Sequence, residues 1–485
     1  MPLTLRVYNK FLRYYRAKYV KCLAFFCLKE MEGISNDTIC ALSTANGMGA
    51  IAVVRVSGKE AIEIVSKVFS KSLIDVNSHT AHFGTLKNQH GDLIDEVLAT
   101  VFQGSKSFTG EPTVEIACHG SVYIQQEVLN LLLQNGCRLA NPGEFTMRAY
   151  FNGKMDLSQA EAVADLIAAD SKKVHEIAIN QMRGGYSDNI AELRQKLMDF
   201  ASLIELELDF SEEDVEFASR KELYDLVETL KTRLVKLVNS FGYGNALKNG
   251  VKTVIAGRPN AGKSTLLNAL LNDERAIVSD IAGTTRDTIE EELIIDGVRF
   301  RFVDTAGIRD AVDEIEKIGV QRTFTEVEKS SLIVYIFDIN ELSEEEVLED
   351  IEKLNVNDKP FFVVANKIDQ DNQPKLSKKL TAFSPLLISA KEKTGIEALQ
   401  KKLVEHVSQN AQESDTIVVN ARHYEAFSNA LSDLEKVEIA LNDQIPGDLL
   451  AMDIRSAIRH LSSITGEITT DDLLGNIFAN FCIGK

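Results

Sequence analysis

Apolar positions change rhythm three times along the chain. From Asp37 to about Lys154, short β-branched runs alternate with helical spacing. Ala50 to Val56, Val97 to Phe102 and Thr113 to Ala117 read as strands. Glu60 to Phe69, with Ile62, Val65, Val68 and Phe69 in register, and Val122 to Leu133 read as helices. An α+β domain over 35–154 is expected. From Leu157 to about Leu247, apolar residues recur every three or four positions. Gly and Pro are rare in Ala160 to Asp170, Ser187 to Leu208 and Lys221 to Val238. These are long amphipathic helices. The same texture returns in Tyr424 to Leu441 and Leu449 to Ile464. Residues 155–247 and 409–485 are therefore expected to be two parts of one helical domain.

Between them, over 248–408, strands alternate with helices. Val251 to Ala256, Val298 to Val303, Leu332 to Ile339, Phe361 to Ala365 and Leu386 to Ile388 are short and β-branched. That order predicts a mostly parallel, doubly wound sheet. Asp296-Gly297 inside Ile294 to Phe302 predicts a hairpin and one antiparallel edge.

Chemistry enters at the strand ends. The first strand runs into Gly257-Arg258-Pro259-Asn260-Ala261-Gly262-Lys263-Ser264, a Gly-x4-Gly-Lys-Ser loop opening a helix over Lys263 to Leu271. Its glycines let backbone N–H groups curl around a phosphate. Lys263 brings charge to the β- and γ-phosphates, and the Ser264 hydroxyl suits Mg²⁺. The helix dipole adds to both. Asp304-Thr305-Ala306-Gly307 ends a second strand, with Asp304 placed to hold Mg²⁺ through water. Asn366-Lys367-Ile368-Asp369 ends another. A carboxylate at Asp369 accepts from N1–H and the 2-amino group of guanine, donors that adenine lacks, so the nucleotide is GTP. Ser389-Ala390-Lys391 is placed to cap the base through backbone N–H groups. Thr285, in Gly283-Thr284-Thr285-Arg286-Asp287, is the natural second Mg²⁺ ligand on a switch loop.

Hydrolysis needs a group to orient water. Ile308 follows Gly307 and cannot do so, which leaves Asp310, Asp313, Glu314 and Glu316 as candidates. Positive charge for the transition state has three sources: Arg286, Arg309, or a monovalent cation beside Asn260.

Composition narrows the setting. The chain has 485 residues, 45% hydrophobic, enough for two to four domains. No apolar run approaches the roughly 20 residues that span a bilayer. A net charge of −19 argues against broad electrostatic binding of nucleic acid, while a local basic groove still permits an RNA substrate. The six cysteines, Cys22, Cys27, Cys40, Cys118, Cys137 and Cys482, form no Cys-x-x-Cys pair and read as reduced thiols. Residues 1–34 are basic, carrying Arg6, Lys10, Arg13, Arg16, Lys18, Lys21 and Lys29. They read as an upstream extension, with Met1 and Met31 both open as the start, and the expected location is cytoplasmic. An organellar transit peptide is the alternative.

These residues resemble a family, the tRNA-modification GTPases called MnmE or TrmE. The resemblance runs from about Asn36 to Lys485. It is carried by Gly257 to Leu270, by the switch Asp280-Ile281-Ala282-Gly283-Thr284-Thr285-Arg286-Asp287, and by the ending Thr465-Gly466-Glu467 … Asp471-Asp472-Leu473-Leu474-Gly475 … Phe481-Cys482-Ile483-Gly484-Lys485. It implies a multidomain α/β chain: a P-loop GTPase domain inserted in a helical domain, preceded by an α+β folate-binding and dimerisation domain. It implies a homodimer that, with an FAD-dependent partner in a heterotetramer, installs a (carboxymethyl)aminomethyl-type group on the wobble uridine of tRNA. The one-carbon unit would come from a folate derivative, 5-formyl- or methylene-tetrahydrofolate.

The implied GTP contacts are Asn260, Ala261, Gly262, Lys263, Ser264, Thr265, Ser279, Asp280, Ile281, Ala282, Gly283, Thr284, Thr285, Asp304, Thr305, Ala306, Gly307, Asn366, Lys367, Asp369, Ser389, Ala390 and Lys391. Ser264 and Thr285 would hold Mg²⁺. Asn260, Ser279, Ile281 and Thr284 would hold a stimulating K⁺, and Glu316 would orient water. Folate contacts would be Arg55, Glu115, Lys154 and Lys485, with Cys482 brought near. On their own residues, Arg55 and Lys154 read as surface side chains, and Cys118 beside His119-Gly120 reads as core. A ribosome-assembly GTPase shares the loop and switch and is the rival, although acidic helical sequence, not a basic RNA-binding domain, follows residue 408 here. A folate-binding scaffold whose G domain only switches is the third reading.

Overall fold

The structure is a computed structural model that describes residues 37–209, 219–271, 277–278, 290–304, 327–354, 359–370, 380, 383–408, 417–443, 445, 447–479 and 481–484. By packing, the chain divides into two units. One runs to Asp156 and takes in Thr470–Lys485, and the other is Leu157–Thr469.

The first unit contains β1 (Ile39–Leu42), β2 (Ile51–Ser57), α1 (Ala61–Val68), β3 (Thr80–Lys87), β4 (Leu93–Phe102), β5 (Thr113–His119), α2 (Val122–Gln134), β6 (Arg138–Leu139) and α3 (Glu144–Phe151). The strands form one sheet in the order β3-β4-β5-β2-β1-β6, antiparallel except at β1 and β6. Alternate residues Val54, Val56, Val114 and Ile116 point to one face and pack with Ile64, Val65 and Leu132 from α1 and α2. Arg55 and Glu115, one position out of step, take the other face. A buried Arg148 on α3 pairs with Glu144, Asp37 and Glu111, which ties the helix to the start of β1. A buried charge is tolerated only when paired in this way.

The second unit opens with α4 (Leu157–Ala168), α5 (Lys172–Met182), α6 (Ser187–Asp209) and α7 (Arg220–Asn249). A doubly wound sheet follows. Its elements are β7 (Val251–Ala256), α8 (Lys263–Leu271), β8 (Ile277–Val278), β9 (Glu290–Ile295), β10 (Val298–Asp304), β11 (Leu332–Asp338), α9 (Glu344–Leu354), β12 (Phe361–Asn366), β13 (Leu386–Leu387) and α10 (Ile396–Ser408). The order is β13-β12-β11-β7-β10-β9-β8, parallel as far as β10 and antiparallel beyond it. The expected hairpin turns at Asp296 and Gly297, both with positive φ. Helices α11 (Ala421–Asn442) and α12 (Gly447–Thr465) then return to α6 and α7.

The helical core joins chain from both sides of the sheet. Leu197 and Ile204 of α6, Leu230 and Leu234 of α7, Phe427 and Leu434 of α11, and Ile454 and Leu461 of α12 form one cluster. A polar knot crosses the same seam. His423 of α11 is fully buried between the Tyr186 hydroxyl and Glu161 of α4, and Arg422 also pairs with Glu161.

Two expectations change. Helix α7 runs past Val238 to Asn249, so the expected seam at 247/248 falls inside a helix. Its last turns contribute Ala246 and Leu247 to the core beneath the second sheet. The stretch 409–485, expected to be the second part of the helical domain ending in Cys-Ile-Gly-Lys, divides by packing after Thr469. Its last helix, α13 (Asp471–Ala479), buries Leu474 and Phe478 and groups with the first unit. Phe478 sets its ring against Tyr150 of α3 at 6.4 Å.

Candidate functional site

The phosphate loop is a backbone device. Strand β7 ends at Ala256, and the chain must turn sharply before α8 begins. Asn260 and Gly262 take positive φ, 63° and 99°. A Cβ on Gly262 would lie 2.3 Å from Asn366 Nδ2, and one on Gly257 would lie 2.1 Å from the Ile336 carbonyl oxygen. Only glycine fits either place. The Leu266 N–H donates to the Gly262 carbonyl at 2.8 Å and starts the helix, whose first amides and dipole face the loop. Lys263 folds back, its ammonium donating to the carbonyls of Gly257 and Arg258 at 2.8 and 3.0 Å. Ser264 is half-buried on the first helical turn, a hard oxygen donor suited to Mg²⁺, and Thr265 is exposed.

The end expected to take the base is assembled by hydrogen bonds between strand ends. Asn366, the last residue of β12, donates to the Ala261 carbonyl at 2.9 Å and accepts from the Ala390 N–H at 3.0 Å. It thus clamps the phosphate loop to the loop after β13. The Ala390 N–H, expected to cap the base, is directed at Asn366. Ser389, buried, donates to Asp369 Oδ1 at 2.6 Å and so aims that carboxylate. Lys391 is exposed beside Glu392.

Lys367 takes φ 67° and pairs with Asp338 at 2.6 Å. Burial opposes charge on Asp338, but hydrogen bonds from Lys367 and Asn340 outweigh it and hold the carboxyl below its usual range. Sequence reasoning missed Asp338. Its signal was its place at the end of β11, beside the strand ends that carry Asn366 and the loop.

Asp304 ends β10 opposite Ile255 of β7. Ser279, Asp280, Ile281, Ala282, Gly283, Thr284, Thr285, Thr305, Ala306, Gly307 and Glu316 lie outside the described residues, as do Arg286, Ile308 and Arg309.

The second cluster lies on the first unit. Arg55 and Glu115 face each other across β2 and β5, with Nε to Oε1 at 2.9 Å. The Arg55 guanidinium sits 5.1 Å from the Phe108 ring centre and 5.5 Å from that of Phe145. A cation held between rings and a carboxylate is a built feature, not a free surface arginine. Both rings escaped the sequence reading because neither belongs to a motif. Lys154 Nζ donates to the Ser105 carbonyl at 2.8 Å.

The C-terminal segment docks on the same unit. The Gly143 N–H points at the Cys482 carbonyl at 3.4 Å, and the Ser43 hydroxyl donates to the Gly484 carbonyl at 3.2 Å. Gly143 is two residues from Phe145, so the contact of Cys482 and the contact of Arg55 begin the same helix. The Cys482 thiol is exposed. Lys485 lies outside the described residues. Cys118 is core: burial first, then Asp95, pushes its thiol up to about 11. His119 is fixed to Asp95 by backbone and ring, both at 2.8 Å.

Comparison with known proteins bears on most of the chain. Residues 38–154 match the profile of the GTP-binding protein TrmE N-terminus, and residues 157–482 match that of the MnmE helical domain. The tRNA modification GTPase MnmE of Cytophaga hutchinsonii is 53% identical over 451 residues, covering 93% of this chain and 98% of the relative. That of Christiangramia forsetii is 53% identical over 472 residues, covering 93% and 99%. Among solved structures, Aquifex aeolicus Era bound to GDP and AlF4⁻ is similar at 26% identity over 38% of this chain and 66% of its own, with a TM-score of 0.26. Identity of this degree across nearly the full length of the curated relatives, with one profile matching over half the chain, places it: the chain belongs to the MnmE family of tRNA modification GTPases.

Proposed function

We propose that the chain hydrolyses GTP in a K⁺-stimulated cycle and, as a cytoplasmic homodimer working with an FAD-dependent partner, installs an aminomethyl-type group on the wobble uridine of tRNA. The observation that carries this reading is the pairing of two built sites in one chain. A loop and strand-end system suited to a guanine nucleotide coexists with a C-terminal segment docked beside the Arg55–Glu115 pair.

In hydrolysis, Lys263 leaves its two carbonyls to meet phosphate oxygens. Asp369, aimed by Ser389, accepts from guanine. Ser264 and Thr285 would hold Mg²⁺, which spreads charge away from the transferring phosphoryl group. Asn260, Ser279, Ile281 and Thr284 would hold K⁺, and Glu316 would orient the attacking water. The positive φ of Asn260 lifts it out of the helical path at the loop's crest, which suits a role towards the phosphates.

On the first unit, Arg55, Glu115, Lys154 and Lys485 would hold a folate, which supplies the one-carbon unit. Glu115 suits the donor edge of a pterin-type ring and Lys485 a carboxylate. The Cys482 thiol is exposed where the tail docks and is available for chemistry. No helix among the described residues is long and apolar enough to cross a membrane.

The test measures wobble-uridine modification in cells lacking the gene, complemented with the wild-type chain or with Glu316→Ala, alongside turnover in K⁺ and Na⁺. Glu316→Ala should lower kcat with little change in nucleotide affinity. Asp313→Ala and Glu314→Ala should stay near wild type. Modification that is normal without the gene, with ribosomal particles accumulating instead, would point to the ribosome-assembly reading. Equal rates in Na⁺ and K⁺ would remove the cation.

A further inference from the structure

The phosphate loop carries one long side chain besides Lys263, and it is tethered. Arg258 presents Nε and Nη2 to the two carboxylate oxygens of Asp350 at 2.8 and 3.2 Å, and Nη1 to Glu346 at 2.7 Å. Both acids lie on α9, outside every motif of the nucleotide site. Each is held in turn. Tyr335, wholly buried on β11 beside the end of β7, donates its hydroxyl to Asp350 at 2.9 Å. Glu346 gives its other oxygen to the Ser343 N–H and hydroxyl, at 3.0 and 2.9 Å, as a capping box that starts α9. An isolated surface ion pair contributes little, but a forked pair inside a network with a buried anchor is the exception. The carbonyl of Arg258 is also one of the two that receive the Lys263 ammonium.

We propose that Asp350 and Glu346 are positioning residues for the nucleotide reaction. By gripping Arg258 they fix the 257–258 peptide, and with it the curl of the loop and the resting place of Lys263, before a nucleotide arrives. A loop ordered in advance loses less freedom on binding. The same grip holds the guanidinium on α9, so Arg258 does not serve as the transition-state cation. The grip acts on GDP and GTP alike, because it shapes the cradle of the β-phosphate. Its removal should weaken binding without slowing the chemical step.

This inference rests on the guanine-nucleotide reading of the loop, so wild-type binding is measured first. Absence of binding there would defeat that reading, whereas the variants test the grip. In the full-length chain, Asp350→Asn should raise the Kd for fluorescent GDP and for GTP by about tenfold. The change should come through faster dissociation, with kcat at saturating GTP within about twofold of wild type. Arg258→Lys keeps the charge but offers a point donor in place of a fork, and should fall between the two. The charge swap of Arg258→Asp with Asp350→Arg should recover part of the affinity that either change loses alone. Three results would overturn the proposal: unchanged Kd in both Asp350→Asn and Arg258→Lys, a lowered melting temperature at unchanged Kd, or a loss confined to kcat. Where Asp350→Asn fails to fold, the Kd of Arg258→Lys decides: a raised value supports the grip and an unchanged one overturns it.

Discussion

The phosphate loop and the docked C-terminal segment are built by opposite means. The loop is a short contiguous stretch whose shape is set by backbone torsions and by neighbouring strands that leave no room for a side chain. The docked segment joins residues as far apart in sequence as Ser43 and Gly484, and is held by the rings of Phe478 and Tyr150 and a few hydrogen bonds. A site made by excluding atoms fails when atoms are added. A site made by docking fails when the docking element is removed. The two should therefore respond to different classes of mutation, and each should survive the damage that destroys the other.

The sharpest break is an added side chain in the loop. Gly262→Val forces a Cβ into the Asn366 amide at a φ that only glycine favours. Nucleotide affinity should fall by roughly a hundredfold or more, measured by titration. Gly475→Ala in α13, where nothing lies within 4 Å of the new Cβ, is the matched control and should be neutral or slightly stabilising. Wild-type affinity in Gly262→Val would refute the steric account of the loop.

Removing the last four residues is the converse. tRNA modification should be lost while GTP turnover stays within about twofold, because the loop belongs to the other unit. Equal modification by the truncated chain would reduce the segment to a passive end.

A subtler change separates shape from recognition. Asp369→Asn leaves the loop intact but loses a carboxylate acceptor. It should lower guanine-nucleotide affinity by about a hundredfold and favour xanthosine nucleotides. Unchanged selectivity would place Asp369 outside the base pocket.

The smallest effect uses the helical core as a reference for both. Burial holds His423 neutral and lowers its pKa, against the pull of Glu161. The unfolded chain takes up a proton on this histidine at higher pH than the native one does, so stability falls as pH falls. The loss falls in the ordinary histidine range, between about pH 7.5 and 5.5. Glu161 is held below its usual range, where burial is outweighed by hydrogen bonds from His423 and the forked Arg422 guanidinium. Its contribution is complete above the ordinary carboxylate range and fades below about pH 5, with the same sign. Denaturant midpoints for the Leu157–Thr469 unit should follow this slope, and His423→Gln should flatten its upper part. A midpoint that rises on acidification would contradict the neutral, buried histidine.

Several elements escaped the sequence for identifiable reasons. Strand β3 is Thr-Ala-His-Phe-Gly-Thr-Leu-Lys, with Phe83 exposed, so its apolar signal is weak. Helix α3 buries Glu144 and Arg148, which no apolar periodicity reports. The continuation of α7 contains Gly242 and Gly244, which interrupt the rhythm that located its first half. The long amphipathic helices and the parallel strands needed no such context, because their period is written in adjacent residues.

The sequence by itself determined the motif residues and their order, Gly257 to Ser264, Asn366, Asp369 and Ser389, and local backbone geometry turned the first of these into a tight loop between β7 and α8. Tertiary structure alone decided that Arg55 lies between Phe108 and Phe145, that the segment after Thr470 leaves the helical core for the first unit, and that Arg258 is gripped from α9. The reason is physical. Backbone turns are set by neighbours a few residues away, whereas packing and ion pairing act between surfaces that only the folded chain brings together.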